Sequence, residues 1–314
     1  MLRRLKAGGA QIGSMHNENV PEKVIKTVRI LRVVTVSVTP AEDQSFVLSI
    51  IENLCYQCYE HKIVPSVVIC DENNYVNSLD KTIAEGIDAL IVLTYDMHKQ
   101  YIRELISFSE RNIPIIVLGT SMVDTNISTV NLGNAELSYM GVKHLYECGY
   151  RSVGYLHSNY DLWCFNDRAV GFYEAIEAFH MECPIQISVE STISGAHREM
   201  RDWLKKKQPL PRAFFADNDN TALGAMNALV EAGYRIPEDI SLVAMDDIVY
   251  SAFSSTPLTT IHVSRKQIAR VTIDLLMGDY NEDPVRITCL GHLIVRKSTR
   301  SFDPETEDKM IFKT

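Results

Sequence analysis

Apolar positions along this chain switch repeatedly between two spacings. The β-branched run LRVVTVSV at residues 31–38 reads as a strand. Residues 45–60 follow with Phe46, Ile50, Leu54 and Cys58 four apart, the spacing of one helix face. The alternation then continues: strand 65–70, helix 79–85, strand 89–93, helix 101–111, strand 114–118, helix 135–148 closed by Gly149, and strand 152–156. A second series has helix 167–179, strand 186–189, helix 196–205, strand 213–216, helix 221–231 ending at Gly233, and strand 241–244. Strands of this length alternating with helices predict parallel sheets joined by right-handed crossovers. Runs such as ALIVL (89–93) and IIVL (115–118) are apolar on every residue, which suits strands covered on both faces. The expected class is therefore α/β, with two Rossmann-like lobes.

Charge changes the picture at one end. The 314-residue chain has 31 Lys and Arg against 40 Asp and Glu, a net charge of −9. Residues 1–32 run the other way, with seven Lys and Arg against two Glu. Gly8-Gly9 and Gly13-Ser14 break that stretch, and residues 1–29 read as a flexible basic arm or an expression remnant. The acidic remainder argues against a surface that coats nucleic acid. No apolar run approaches the roughly 20 residues of a membrane span, and no secretory core follows Arg3, Arg4 and Lys6. Seven cysteines, an odd number, read as reduced thiols in a cytoplasmic protein. Cys55 and Cys58 have redox or metal spacing but lie in an apolar helical stretch with no second pair, so they read as core or boundary thiols.

Ligands of open parallel sheets bind beyond the carboxyl ends of the strands. At those ends lie Phe46, Tyr95, Trp163, Asn166, Arg168, Asn218 and Asp246, the candidate ligand-binding residues. Carboxylate, amide and guanidinium groups grip hydroxyls, and aromatic faces cover the C–H side of a sugar ring. Each has a plainer alternative: Asn218 or Asp219 as a helix cap, Asp247 as a turn residue, Trp163 as core, Arg168 as a surface ion pair. Asp246 and Asp247, adjacent on a strand end, should point apart and not share an ion. His262 reads as a strand or hinge histidine. No GxSxG, HExxH, Walker loop or GxGxxG occurs, so no enzyme activity, cofactor or metal is expected.

The order of these motifs resembles the effector-binding part of LacI/GalR-family transcriptional regulators over about residues 30–300. Residues 213–261, AFFADNDNTALGAMNALVEAGYRIPEDISLVAMDDIVYSAFSSTPLTTI, are similar to that family's Asn-Asp strand end, Ala-x-Gly helix, Ile-Pro turn, paired Asp and Pro-Leu-Thr-Thr crossover. DRAVGFYEAI (167–176), VNLGNAELSYMGVKHLYECGYRSVGYL (130–156) and HLIVRKST (292–299) match further family motifs in the same order. Gly133-Asn134 stands where the family usually has Asp-Asn, and Ala244 stands where Gly is usual.

The resemblance implies a periplasmic-binding-protein-like type I fold with three crossovers. The first lobe would comprise 30–157 plus 260–279 and the second 158–259 plus 280–302, leaving a tail at 303–314; by its polarity Ser301–Thr314 is expected to be frayed. It implies that Arg168, Asn218 and Asp246 hold ligand hydroxyls, with Phe46 and Trp163 at the cleft. The implied partners are a small sugar-like effector and a second copy of the chain. Operator DNA would be met only through an N-terminal head, of helix-turn-helix or winged-helix type, which residues 1–30 are too short to supply. The competing expectation is a transport-type solute receptor of the same fold, against which the free cysteines and the VRKST segment count.

Overall fold

The computed structural model describes residues 24–34, 45–71, 73–95, 102–111, 113–120, 122, 125–278, 283–302 and 310–311. The chain runs β1 (Thr27–Val34), α1 (Ser45–Glu60), β2 (Val64–Asp71), α2 (Tyr75–Ala84), β3 (Ala89–Leu93), α3 (Ile102–Ser109), β4 (Ile115–Leu118) and β5 (Ser128–Leu132). It continues α4 (Asn134–Glu147), β6 (Gly154–Ser158), α5 (Trp163–Ala178), β7 (Gln186–Val189), α6 (Ile193–Leu204), β8 (Ala213–Ala216), α7 (Asp219–Glu231), β9 (Ser241–Asp246), α8 (Val249–Phe253) and β10 (Thr259–His262). It closes with α9 (Arg265–Met277), β11 (Arg286–Cys289) and β12 (His292–Ile294).

Two six-stranded sheets result, ordered β2-β1-β3-β4-β5-β11 and β7-β6-β8-β9-β10-β12. Every pairing is parallel except that of β12 with β10. The fold is α/β, periplasmic-binding-protein-like. In each sheet the first five strands follow the doubly wound order 2-1-3-4-5, so each lobe has a switch point between its first and third strands. The fully apolar strands β3, β4 and β8 are buried at every residue, as their composition requires.

The expected lobe boundaries need correction. β6 and β10 belong to the second sheet and β11 to the first, so the chain changes lobes near residues 133, 263 and 290. The reason is β5, whose Ser128, Thr129 and Asn131 hide a strand that pairs with β4. Without it, β6 takes the fifth place in the count. α4 packs on α5 and is part of the second lobe, and α9 packs on α1 in the first. The second and third crossovers abut: a Cβ on Gly291 would lie 2.1 Å from the His262 carbonyl oxygen.

The ends also differ from expectation. The first strand begins at Thr27, inside the stretch read as an arm, while residues 1–23 and 35–38 lie outside the described residues. Phe302 is buried and stacks on Tyr150 at 4.5 Å. Ile311 exchanges two 2.8 Å backbone hydrogen bonds with Leu210, so these tail residues are paired, not frayed; residues 303–309 and 312–314 lie outside the described residues.

Candidate functional site

The two switch points carry the candidate side chains. In the first lobe, Phe46 opens α1, the helix after β1, and Tyr95 stands two residues past β3. Their rings meet edge to face at 5.9 Å. In the second lobe, Arg168 lies in the second turn of α5, the helix after β6, and Asp217 directly follows β8. Arg168 Nη1 donates to the Asp217 carbonyl oxygen.

Arg168 is 4% exposed and its three nitrogens are each engaged. Nε donates to Asn134 Oδ1 at 3.0 Å, and Nη2 donates to Asp246 Oδ1 at 2.9 Å. The guanidinium also lies 5.7 Å from the centre of the Phe165 ring. Burial works against its charge, but Asp246 and the other acidic neighbours outweigh burial and hold the group above its ordinary range. Five N–H groups are available on a guanidinium, so these bonds leave donor capacity.

Asp246 ends β9 with φ 109°, and Asp247 follows with φ 49°. The two carboxylates diverge, as adjacent strand-end residues should. Asp246 turns to Arg168, while Asp247 pairs with His262 Nδ1 at 2.8 Å and with Arg296. The Asp247 carboxyl sits below its usual range: burial pushes it up, but bonds from Arg296 and His262 overcome that.

Arg265 joins the lobes. It opens α9, and its Nη2 donates to the carbonyl oxygens of Asp246 and Asp247, the latter at 3.1 Å. Its guanidinium carbon lies 5.0 Å from the centre of the Phe46 ring. The first lobe's aromatic pair is thus one residue away from the second lobe's ion pair. Arg265 Nε and the Tyr95 hydroxyl are buried without a hydrogen-bond partner among the described residues. Burial holds the Tyr95 phenol well above its ordinary range.

The other candidates stand apart from this cluster. Asn218 is the N-cap of α7: its Oδ1 accepts from Thr221 N–H at 2.9 Å, and its Nδ2 donates to Ser191 Oγ at 3.1 Å. Asn166 is exposed and donates to Asp161 at 2.9 Å. Trp163 is half-buried at the first position of α5. No cluster of three or more potential metal ligands occurs among the described residues.

Comparison with known proteins agrees with this fold. A family model described as a periplasmic binding protein-like domain matches residues 142–299. The HTH-type transcriptional repressor PurR of Haemophilus influenzae is 31% identical over 296 residues, covering 89% of this chain and 83% of that protein. The chain belongs to the LacI family of transcriptional regulators, whose effector-binding part it contains. Among solved structures of the LacI fold, the Lac repressor dimer bound to operator and the anti-inducer ONPF aligns with TM-score 0.77 at 19% identity, covering 88% of this chain and 95% of that one. A LacI-family regulator of Enterococcus faecium with bound ribose aligns with TM-score 0.73 at 21% identity, covering 88% and 100%.

Three members of the cluster were not among the sequence candidates. Asn134 holds the Arg168 Nε although its partner Asp of the LacI pattern is replaced by Gly133. Asp217 sits in the acidic DNDN run, where nothing separates it from its neighbours. Arg265 follows the Pro-Leu-Thr-Thr crossover, but no local spacing tells that its fork reaches back to residues 246 and 247.

Proposed function

We propose that this chain is the sensing part of a cytoplasmic transcriptional regulator. It binds a small, neutral, sugar-like effector between its lobes and couples that binding to the DNA affinity of an N-terminal head. The observation that carries the reading is the convergence of Phe46 and Tyr95 from one lobe with Arg168 and Asp246 from the other, through Arg265. The buried charges of Arg168 and Asp246 compensate each other, which favours a neutral ligand over a phosphorylated one. Relatives named as repressors, and neighbours solved with ribose or cellobiose, support the same class. No described helix is long and apolar enough to cross a membrane.

A homodimer fits the surface. α8 exposes Val249, Tyr250 and Phe253, the last at 83%, and β2 exposes Val67 and Ile69. Apolar patches of this kind favour a protein partner over solvent. In the regulator, effector binding would bias lobe closure and hence the spacing of two heads, which requires different affinity in the two states.

The test is a thermal-shift screen against neutral sugars, phosphosugars, nucleobases and amino acids. A ligand at 100 times its Kd stabilises the native state by about 2.7 kcal/mol. A neutral-sugar hit lost in Asp246→Ala is the expected result. No shift from any class, with the protein folded, would overturn the reading.

A further inference from the structure

Beside α5, on the side away from α4, the second lobe holds a recess of about 130 Å³. α5 turns Arg168 and Phe172 toward the core and Phe165, Ala169 and Tyr173 toward the recess. The walls include the rings of Tyr155, Tyr160, Phe165 and Tyr173, and the lining has no Lys or Arg. At its floor lies Asp217, 1% exposed.

The Asp217 carboxylate accepts two bonds, both from neutral donors: the Tyr155 hydroxyl on Oδ1, and the Ser158 N–H on Oδ2 at 2.7 Å. Arg168 reaches only its main-chain carbonyl. Among the described residues, Asp217 takes part in no ion pair. Burial pushes its carboxyl up to about 6 in spite of these bonds. Asn166, also in the lining, donates to the Asp161 carboxylate outside it at 2.9 Å. The Arg168 charge acts on this carboxylate only through space, burial still outweighs it, and ring faces attract cations. At this volume the recess is well below the roughly 300 Å³ at which drug-sized ligand pockets begin.

We propose that this recess, which adjoins the interlobe cluster at Asp217 and Phe165, is a second binding site for a small organic cation of the alkylammonium class. Asp217 supplies the counter-charge, Tyr160, Phe165 and Tyr173 the aromatic walls, and Tyr155, stacked on Phe172 at 4.2 Å, holds the carboxylate through its hydroxyl. His157 lines the same recess and bonds the Ser158 carbonyl at 3.2 Å.

The test is a saturation-transfer NMR titration of the whole chain with tetramethylammonium chloride at constant ionic strength, with tert-butanol as the neutral analogue. Saturable binding of the cation and none of the alcohol is expected. Asp217→Asn should weaken it by about tenfold or more, the loss of about 1.4 kcal/mol of ion pairing. Tyr173→Ala, at a half-exposed rim position where folding is not at risk, should weaken it by about threefold. No saturation, equal binding of tert-butanol, or a Tyr173→Ala variant that folds and binds as the wild type does would overturn the proposal.

Discussion

Replacing Arg168 by Met tests whether the cluster is built as described. Met keeps most of the volume but none of the donors. The change leaves the Asp246 carboxylate, 8% exposed, without its cation, and it strips Asn134 Oδ1 and the Asp217 carbonyl of their 168 partner. Breaking a buried pair from one side costs about 3–5 kcal/mol, whereas an exposed pair is worth about 0–1 kcal/mol. Loss of the guanidinium over Phe165 adds at most about 1 kcal/mol, so the buried charge dominates. At about 2–4 °C per kcal/mol for a lobe-sized unit, the variant should melt roughly 6–20 °C lower. Urea denaturation followed by circular dichroism measures the difference directly. Adding Asp246→Asn to Arg168→Met removes the stranded charge, and Asn suits the positive φ at that position. The double variant should therefore be more stable than the sum of the two singles by about 1–3 kcal/mol. A loss below about 1 kcal/mol for Arg168→Met, with no coupling to position 246, would refute the buried pair and return Arg168 to the surface reading.

Gly171→Ala should cost about 3 kcal/mol or more, because its Cβ would stand 1.9 Å from the Ala135 carbonyl oxygen and push α5 off α4; chemical denaturation checks it. Phe302→Ala, which empties the stack on Tyr150, should cost about 3–5 kcal/mol by the same assay. Asp219 accepts from Ile248 N–H, Ser251 and Thr260, and burial, then the Asp246 charge, pushes its carboxyl up to about 7. The folded state thus keeps a proton that the unfolded chain releases near pH 4. Its contribution is present at low pH and is lost as pH rises through about 7. Wild type should gain stability from pH 7 to pH 5 relative to Asp219→Asn, on the order of 2 kcal/mol; parallel pH profiles would refute the assignment.

Much of the fold is legible in apolar spacing. β3 and β8 begin and end where the runs do, because strands buried on both faces write themselves as unbroken apolar segments; β7, QISV, is found at the same bounds by alternation, with Ile187 and Val189 buried. β5 is lost for the opposite reason. Its Ser128 and Asn131 are half-buried next to the first crossover, so half the strand is polar. That one omission moves every lobe boundary. The site divides along similar lines. Strand-end position finds Phe46, Tyr95, Arg168 and Asp246, since chain order fixes where a strand ends. It does not tell an N-cap from an ion-pair partner: Asn218 and Asp246 occupy like positions after β8 and on β9, yet one side chain accepts from Thr221 N–H and the other from Arg168. Asn134 and Arg265 are held by contacts across 34 and 19 residues of chain, a range no local pattern reports.

The contacts of Arg265 set the scale on which the proposed sensing would work. Its bond to Val263 lies within its own crossover, so among the described residues only the bonds to Asp246 and Asp247 reach the second lobe. Hydrogen bonds from a charged donor are worth about 1.5–3 kcal/mol each, less when one nitrogen serves two carbonyls, and the Phe46 face adds about 0.5–2 kcal/mol. The bridge is therefore worth about 2–5 kcal/mol. Moving a two-state equilibrium from 1:99 to 99:1 takes about 5.5 kcal/mol. An effector seated on Phe46 would compete with, or complete, a contact of nearly that size, and Arg265 Nε is buried there with no described partner. It follows that such an effector would not need to work against either lobe's core. Competition for one guanidinium would supply about a third to nine tenths of that 5.5 kcal/mol.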